Sequence, residues 1–457
     1  FPFYMMFVMG TYYSENLFRG LPLLVSDYFF QNLETVLKGN FLRSYMNSII
    51  VSVASVTASI FTSVTIGYAI AKYEFKLRGL FMEQALKAYF HPEDGIGYSL
   101  CRTHMGSCDF CTDIYSYNDY PGDIQLERFS VEYDEKWLIP MIKKAKKAAG
   151  GNILLHANPW SPPAWMKSNA SMENGGRLLD KYYSSMAMYF VKYITEYKKH
   201  GIDIWGITTQ NEPDEIQKWP SCCYSAQEEK KFIKEFLVPL FRENGLEHIN
   251  IMIWDSNKDK MYERSCAILE DKSLHEYIKG IAFHWYSGDF FEQLDLVHNK
   301  FPKMMLISSE NCVPFTDDFN DWSIGERYGH EIIGDINHWT NGFIDWNMFL
   351  NEYGGPNLAG NYCAAPIHVD TKNGQLIFLN SYYYIGHFSK FLKQNALRVE
   401  CLVSDDELEA CAVKNPDGQV AAVIMNRTNA SANVLVDIDG EKYGIGLLPH
   451  SIITIIK

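Results

Sequence analysis

The chain has 457 residues and carries 41 Lys+Arg against 55 Asp+Glu, a formal charge of −14 at pH 7. An apolar share of 47% can build a large core and excludes a disordered or collagen-like chain. The acidic balance argues against a nucleic-acid binder, which would show a basic face. The charge is uneven: residues 1–82 hold six Lys+Arg and four Asp+Glu, the rest hold 35 and 51, and all ten Trp follow position 82. That asymmetry implies parts with different solvents, and the length allows about three domains.

The first part reads as membrane. From Ser44 to Ala71, twenty-eight residues pass without Asp, Glu, Lys, Arg or His. A bilayer core of about 30 Å needs about 20 such residues in a helix. Arg43 closes one side, and Lys72, Lys76 and Arg78 close the other, which favours the cytoplasmic face after the helix. The alternative is a buried helix of a soluble protein. Phe1–Met9 is apolar but too short to span, and reads as the tail of a helix whose start is missing. Residues 1–82 resemble a fragment of a sugar ABC transporter permease. The resemblance rests on Asn32-Leu33-Glu34-Thr35-Val36-Leu37, Phe41-Leu42-Arg43-Ser44-Tyr45-Met46-Asn47-Ser48 and Gly67-Tyr68-Ala69-Ile70-Ala71-Lys72-Tyr73. The coupling loop that would meet an ATPase is not present, so transport is the lesser reading of the chain.

After Glu83, short β-prone runs alternate with helical stretches. The runs are 97–101, 152–156, 204–208, 249–254, 278–284, 304–308 and 342–346, with helices expected over 134–149 and 181–200. Seven strand-helix repeats approach the eight of a (β/α)8 TIM barrel. The alternative is a doubly wound open sheet, although no Gly-rich phosphate loop follows the first run. From about Ser381 the texture becomes antiparallel: strands are expected over 400–403, 408–413, 420–426, 432–438 and 452–456. Asn415-Pro416-Asp417-Gly418 is a hairpin turn. The expected domains are 1–82, a 83–380 barrel and a 381–457 β-sandwich.

Barrel enzymes place their chemistry where strands end. One run ends Asn211-Glu212-Pro213 and another Ser309-Glu310-Asn311-Cys312. A carboxylate at the end of an apolar strand is costly without a partner or a task. Two such carboxylates facing one another suit glycoside hydrolysis, one donating a proton and one attacking the anomeric carbon. Trp160, Trp285 and Trp346 also sit at run ends, where indoles stack on a pyranose or simply pack in the core.

Residues 83–457 resemble glycoside hydrolase family 30, most closely its glucosylceramidase branch. The stretches that carry the likeness include Gly97-Tyr98-Ser99-Leu100-Cys101-Arg102, Ser107-Cys108-Asp109-Phe110, Pro159–Trp165, Asn211-Glu212-Pro213, His284-Trp285-Tyr286, Ser309-Glu310-Asn311-Cys312 and Asp345-Trp346-Asn347. The resemblance implies a retaining β-glycosidase with Glu212 as acid/base and Glu310 as nucleophile. It implies Arg102, Asp109, Trp160, Asn211, His284, Tyr286, Trp346 and Asn361 as substrate-binding residues, a C-terminal sandwich on the barrel, and no cofactor. The expected partner is a carbohydrate or glycolipid. Membrane association is expected through 44–71 if that segment is genuine; otherwise the enzyme is cytoplasmic or secreted. The family's first barrel strand is absent from the alignable region, so the barrel is expected to remain open.

No paired CxxC units with His partners are present, so no metal site is expected. Cys108 and Cys312 read as buried thiols, and His104 and His156 as satisfied structural histidines.

Overall fold

The computed structural model describes residues 2–20, 22–39, 43, 46–53, 76–151 and 153–457. The chain divides into two compact units, 1–79 and 80–457. In the first, α1 (Pro2–Met9) and α2 (Phe29–Lys38) are joined by a loop that Asn32 ties down. Its Nδ2 donates to the carbonyls of Gly10 and Tyr12, at 3.0 and 2.7 Å. No helix among the described residues is long and apolar enough to cross a membrane. The spanning helix expected over 44–71 therefore finds no support, and residues 44, 45 and 54–71 of it lie outside the described residues.

The second unit opens on the end of α3 (Lys76–Phe90), whose Leu86, Tyr89 and Phe90 pack with Ile96, Ile367 and Tyr382. Seven parallel strands follow in sequential order: β1 (Leu100–Met105), β2 (Leu154–Pro159), β3 (Gly206–Thr208), β4 (Asn250–Asn257), β5 (Ile278–His284), β6 (Met305–Glu310) and β7 (Gly342–Phe343). The seven expected runs each contain part of a strand, with bounds shifted by up to four residues. They are apolar on both faces because crossover helices cover the outside and side chains fill the inside. Helix α4 (Leu138–Ala148) returns from β1, and α5 (Tyr183–Lys199) from β2. The latter buries Met186, Tyr189, Phe190, Tyr193 and Tyr197, a stripe at three- and four-residue spacing. Two further crossover helices matter below, α6 (Phe291–Lys300) and α7 (Trp322–Asn337).

Among the described residues the sheet does not close: β1 pairs only with β2, and β7 only with β6. The seam between them is narrowed by the Leu100 side chain, which occupies the space a Cβ on Gly342 would need. A cavity of about 1030 Å³ lies along it, lined by Leu100, Leu138, Ile142, Ile307, Phe343 and Phe388 among others. Among the described residues this is the open barrel that the sequence implies.

The C-terminal region begins differently from expectation. Residues 380–389 form a helix, α8 (Asn380–Ser389), not a strand-rich segment. Tyr384, Ile385 and Phe388 on α8 pack with Tyr328, Ile332 and Ile333 of α7. Beyond it lies an antiparallel sheet of β8 (Leu397–Val399), β9 (Leu408–Lys414), β10 (Val420–Asn426) and β13 (Ser451–Ile456). A hairpin of β11 (Ala432–Ile438) and β12 (Glu441–Leu447) shares a core with it around Leu408, Ile424 and Leu447. Asn415–Gly418 forms the expected turn, with Gly418 at φ 91°. Residues 400–403 are not a strand, and β12 was not anticipated, because Gly444 and Gly446 dilute its β pattern.

One buried ion cluster ties β4 to α7. Lys258 donates to Glu331 at 2.8 Å and to Asp335 at 3.3 Å, all three shielded from solvent. Burial pushes Glu331 up to about 7, against the pull of Lys258. Removing the cation takes the ion-pair partner of Asp335 and leaves Glu331 with Arg327 at 2.6 Å, so Lys258→Met is expected to cost about 3–5 kcal/mol. Urea unfolding measures it; the triple change Lys258→Met, Glu331→Gln, Asp335→Asn should recover much of the loss.

Candidate active site

Asp255 organises the C-terminal mouth of the sheet. It sits on β4 at a bulge, where the register slips between Trp254 and Ser256, and both Trp254 and Asp255 have positive φ, 77° and 63°. Non-glycine residues occupy that region only under constraint. The bulge aims the carboxylate inward, where five donors meet it. Arg102 Nη2 (2.9 Å), Asn158 Nδ2 (2.8 Å) and Thr208 Oγ1 (2.5 Å) donate to Oδ2. His284 Nε2 (3.1 Å) and Ser309 Oγ (2.6 Å) donate to Oδ1. These residues come from β1, β2, β3, β5 and β6. Burial raises the Asp255 pKa, but Arg102 and His284 outweigh it and hold the carboxylate ionised.

Arg102 spreads the arrangement outward. Its Nε donates to Asn158 Oδ1 at 2.9 Å, Nη2 to Asn211 Oδ1 at 2.7 Å, and Nη1 to Glu310 Oε2. The guanidinium also lies over the Trp160 and Trp346 rings, at 4.8 and 5.4 Å. Because Arg102 fixes Asn211 by its oxygen, the amide nitrogen is left as the donor.

Glu212 and Glu310 come together. Carboxylate oxygens of both, with a ring nitrogen of His284, lie within 4.8 Å of one another. Glu212 follows β3 at φ 48°, its N–H bonded to the Asp255 carbonyl at 2.9 Å. Its carboxylate meets Gln217 Nε2 at 3.3 Å and His284 Nδ1 at 3.6 Å. Glu310 ends β6 and accepts from Tyr286 Oη at 3.0 Å on Oε1. Both carboxylates are largely buried, at 9% and 6% exposure. Asp109 is buried near them; burial and then the charges of Glu310 and Glu212 raise its pKa.

Of the expected site residues, Arg102, Asn211, Glu212, His284, Tyr286 and Glu310 join one hydrogen-bonded cluster. Trp160 and Trp346 stand against it, stacked on each other at 4.8 Å. Asp109 accepts a 3.3 Å bond from Asn357. Asn361 does not join: it is exposed, and among the described residues it bonds to Asn357 instead, through its backbone N–H. Trp285 is not a binding wall. It is 2% exposed, packs on Tyr328 and Phe343, and donates to the Cys312 carbonyl. His156 is not satisfied either: both ring nitrogens lack a hydrogen-bond partner among the described residues, and burial lowers its pKa to about 4. Asp255 and Asn158 were missed. Asp255 follows the run 249–254 by one residue, the same strand-end signal that marks Glu212 and Glu310.

Two carboxylates opposed at the mouth of a parallel β/α barrel, beside a stacked pair of indoles, define a glycosidase of the TIM-barrel class. The chain belongs to glycosyl hydrolase family 30. The family's TIM-barrel domain matches residues 61–392 and its beta sandwich domain matches 395–455. The first match begins at 61 and takes in residues 61–82 of the segment expected to be permease-like, an expectation that the comparisons do not support. The lysosomal acid glucosylceramidase of Mus musculus is 34% identical over 363 residues, covering 75% of this chain and 70% of that protein. The crystal structure of SrfJ from Salmonella typhimurium is similar at a TM-score of 0.80 and 36% identity, covering 82% of this chain and 84% of that one. The endo-beta1,6-glucanase BT3312 follows at a TM-score of 0.75 and 28% identity, covering 81% and 84%.

His284 carries a pH signature. Burial would lower its pKa, but Glu310, Asp255 and Glu212 raise it to about 9. A folded-state pKa above the unfolded 6.5 stabilises the fold fully below pH 6.5, and that contribution is lost as pH rises towards 9. Urea unfolding at both ends of this window should show wild type losing a few kcal/mol more than His284→Gln. Equal losses in the two proteins would remove His284 from the account.

Proposed function

We propose that this enzyme hydrolyses β-glucosides with retention, in two displacements, using Glu310 as nucleophile and Glu212 as acid/base. The observation that carries the reading is the approach of the two carboxylates to within 4.8 Å. Retaining glycosidases hold the pair about 5–5.5 Å apart, and inverting ones about 6.5–9.5 Å, to admit a water between.

In the first displacement Glu212, protonated, donates to the leaving oxygen while a Glu310 oxygen attacks the anomeric carbon. Arg102 and Tyr286 hold Glu310, one on each oxygen, and keep it an aimed anion. In the second, Glu212 takes a proton from water, which attacks the glycosyl-enzyme and releases Glu310. Asn211 Nδ2 is placed as a donor for the sugar 2-hydroxyl, a contact that strengthens in the transition state. Asp109, Trp160, His284 and Trp346 complete the sugar subsite. Glucosylceramide-like lipids are the proposed natural substrate class, in line with the mouse relative. The domain division proposed with this reading is 1–82 for a separate segment, 83–380 for the barrel and 381–457 for the sandwich.

Two substitutions separate the roles. Glu310→Gln should abolish turnover of every β-glucoside. Glu212→Gln should slow an alkyl glucoside by about 100-fold to 10,000-fold. It should nevertheless keep the first step with a dinitrophenyl glucoside, whose leaving group needs no proton. Stopped-flow release of dinitrophenolate reads the difference; full activity of Glu310→Gln would end the assignment.

A further inference from the structure

The loop that delivers Asp109 to the site also brings three metal-ligating side chains together. His104 lies on β1, the chain turns at Gly106 (φ 77°), and Cys108 and Cys111 flank Asp109 and Phe110. A ligand atom of each of His104, Cys108 and Cys111 lies within 4.8 Å of the others. The two sulfurs are 3.5 Å apart. Two zinc–sulfur bonds of about 2.3 Å at a tetrahedral angle place their sulfurs about 3.8 Å apart. A disulfide needs about 2.05 Å, so the thiols stand near the edge of a coordination tetrahedron and not at bonding distance.

Backbone hydrogen bonds hold the two cysteines together. The Cys108 N–H donates to Cys111 Sγ at 3.2 Å, and the Cys111 N–H returns to the Cys108 carbonyl at 3.2 Å. This closed turn presents both sulfurs on one side. His104 Nδ1 bonds to the Gly106 carbonyl at 2.5 Å, and a carbonyl can only accept. Nδ1 therefore carries the proton, and the lone pair is on Nε2. An outer hydrogen bond that fixes the ring tautomer is the usual support of a zinc histidine.

We propose that His104, Cys108 and Cys111 form a Zn²⁺ site, with Nε2 and two thiolates as ligands and the fourth position open to solvent through the half-buried Cys111. The sequence has one CxxC unit, and its histidine partner lies four residues upstream on a strand, which is why spacing rules for paired units pass over it. The ion would pin the loop at both sides of Asp109 and Phe110. Phe110 packs edge-on to Trp346 at 6.2 Å, and the Asp109 carbonyl accepts from Leu358 N–H at 2.7 Å. Metal binding does not depend on the catalytic reading; its effect on the sugar subsite does.

The test uses the full chain, reduced and stripped of metal, titrated with Zn²⁺ against a chromophoric chelator. One zinc per chain is expected. Cys108→Ser, Cys111→Ser and His104→Ala should each weaken it more than about 100-fold, beyond what outer-sphere changes cause. Glu310→Gln and Cys266→Ser should retain it. That control matters because Glu212, His284 and Glu310 are a second cluster of possible ligands. Should a cysteine variant fail to fold, Co²⁺ in the unaltered protein should give a sulfur-to-metal charge-transfer band, and Zn²⁺ should block alkylation of Cys111. No stoichiometric zinc, zinc lost in Glu310→Gln, or Co²⁺ without sulfur ligation would each overturn the site.

Discussion

The site depends on keeping one solvent-free carboxylate charged. Asp255 is fully buried, and a buried anion persists only when partners replace its lost hydration. Five donors from five strands do so, and each is fixed in place by the bond it gives. The arrangement therefore acts in two directions: it stabilises Asp255, and it orients the groups around it. Arg102 is the main product. Held by Asp255, it reaches Asn211 and Glu310 with its remaining donors. The placement of Glu310 thus follows from the Arg102–Asp255 ion pair, and that of Glu212 from its N–H bond to the Asp255 carbonyl.

This also explains how an open sheet can carry a defined site. Among the described residues β1 is paired on one side only, and an unpaired edge is weakly held. Arg102 and His104 both lie on it. The ion pair ties the middle of β1 to β4 across the interior, and the Arg102–Asn158 bond ties it to β2. Backbone strain falls at the same place: Glu212, Trp254 and Asp255 all have positive φ, and the Glu212 N–H bonds to the Asp255 carbonyl. Strain at this point re-aims two carboxylates that regular strands would direct elsewhere.

Much of this was legible in the sequence because parallel strands buried on both faces are apolar runs, and each such run proved to contain part of a strand. Glu212 and Glu310 stood out as charges where apolarity stops. Asp255 obeys the same rule, one residue beyond its run, but sits on a bulge that no local pattern announces. Trp285 was misread because an aromatic at a strand end looks the same whether it faces a ligand or a neighbouring domain; here the sandwich covers it, with Cys411, Val423 and Met425 in the same core. Helix α8 was read past because its Tyr-rich stretch has the aromatic content of a strand. The membrane reading of 44–71 rested on an uncharged stretch with basic flanks and on a resemblance, and the family match from residue 61 competes for part of that segment. The metal cluster was invisible for a different reason: its ligands meet through a turn at Gly106 that the spacing does not reveal.

The most direct test of the central claim is the anomeric configuration of the first product, followed by proton NMR during hydrolysis of an aryl β-glucoside. Carboxylates held this close by Arg102 leave no room for an attacking water between nucleophile and sugar. The β-anomer should therefore appear first and mutarotate later. Initial appearance of the α-anomer would contradict the account.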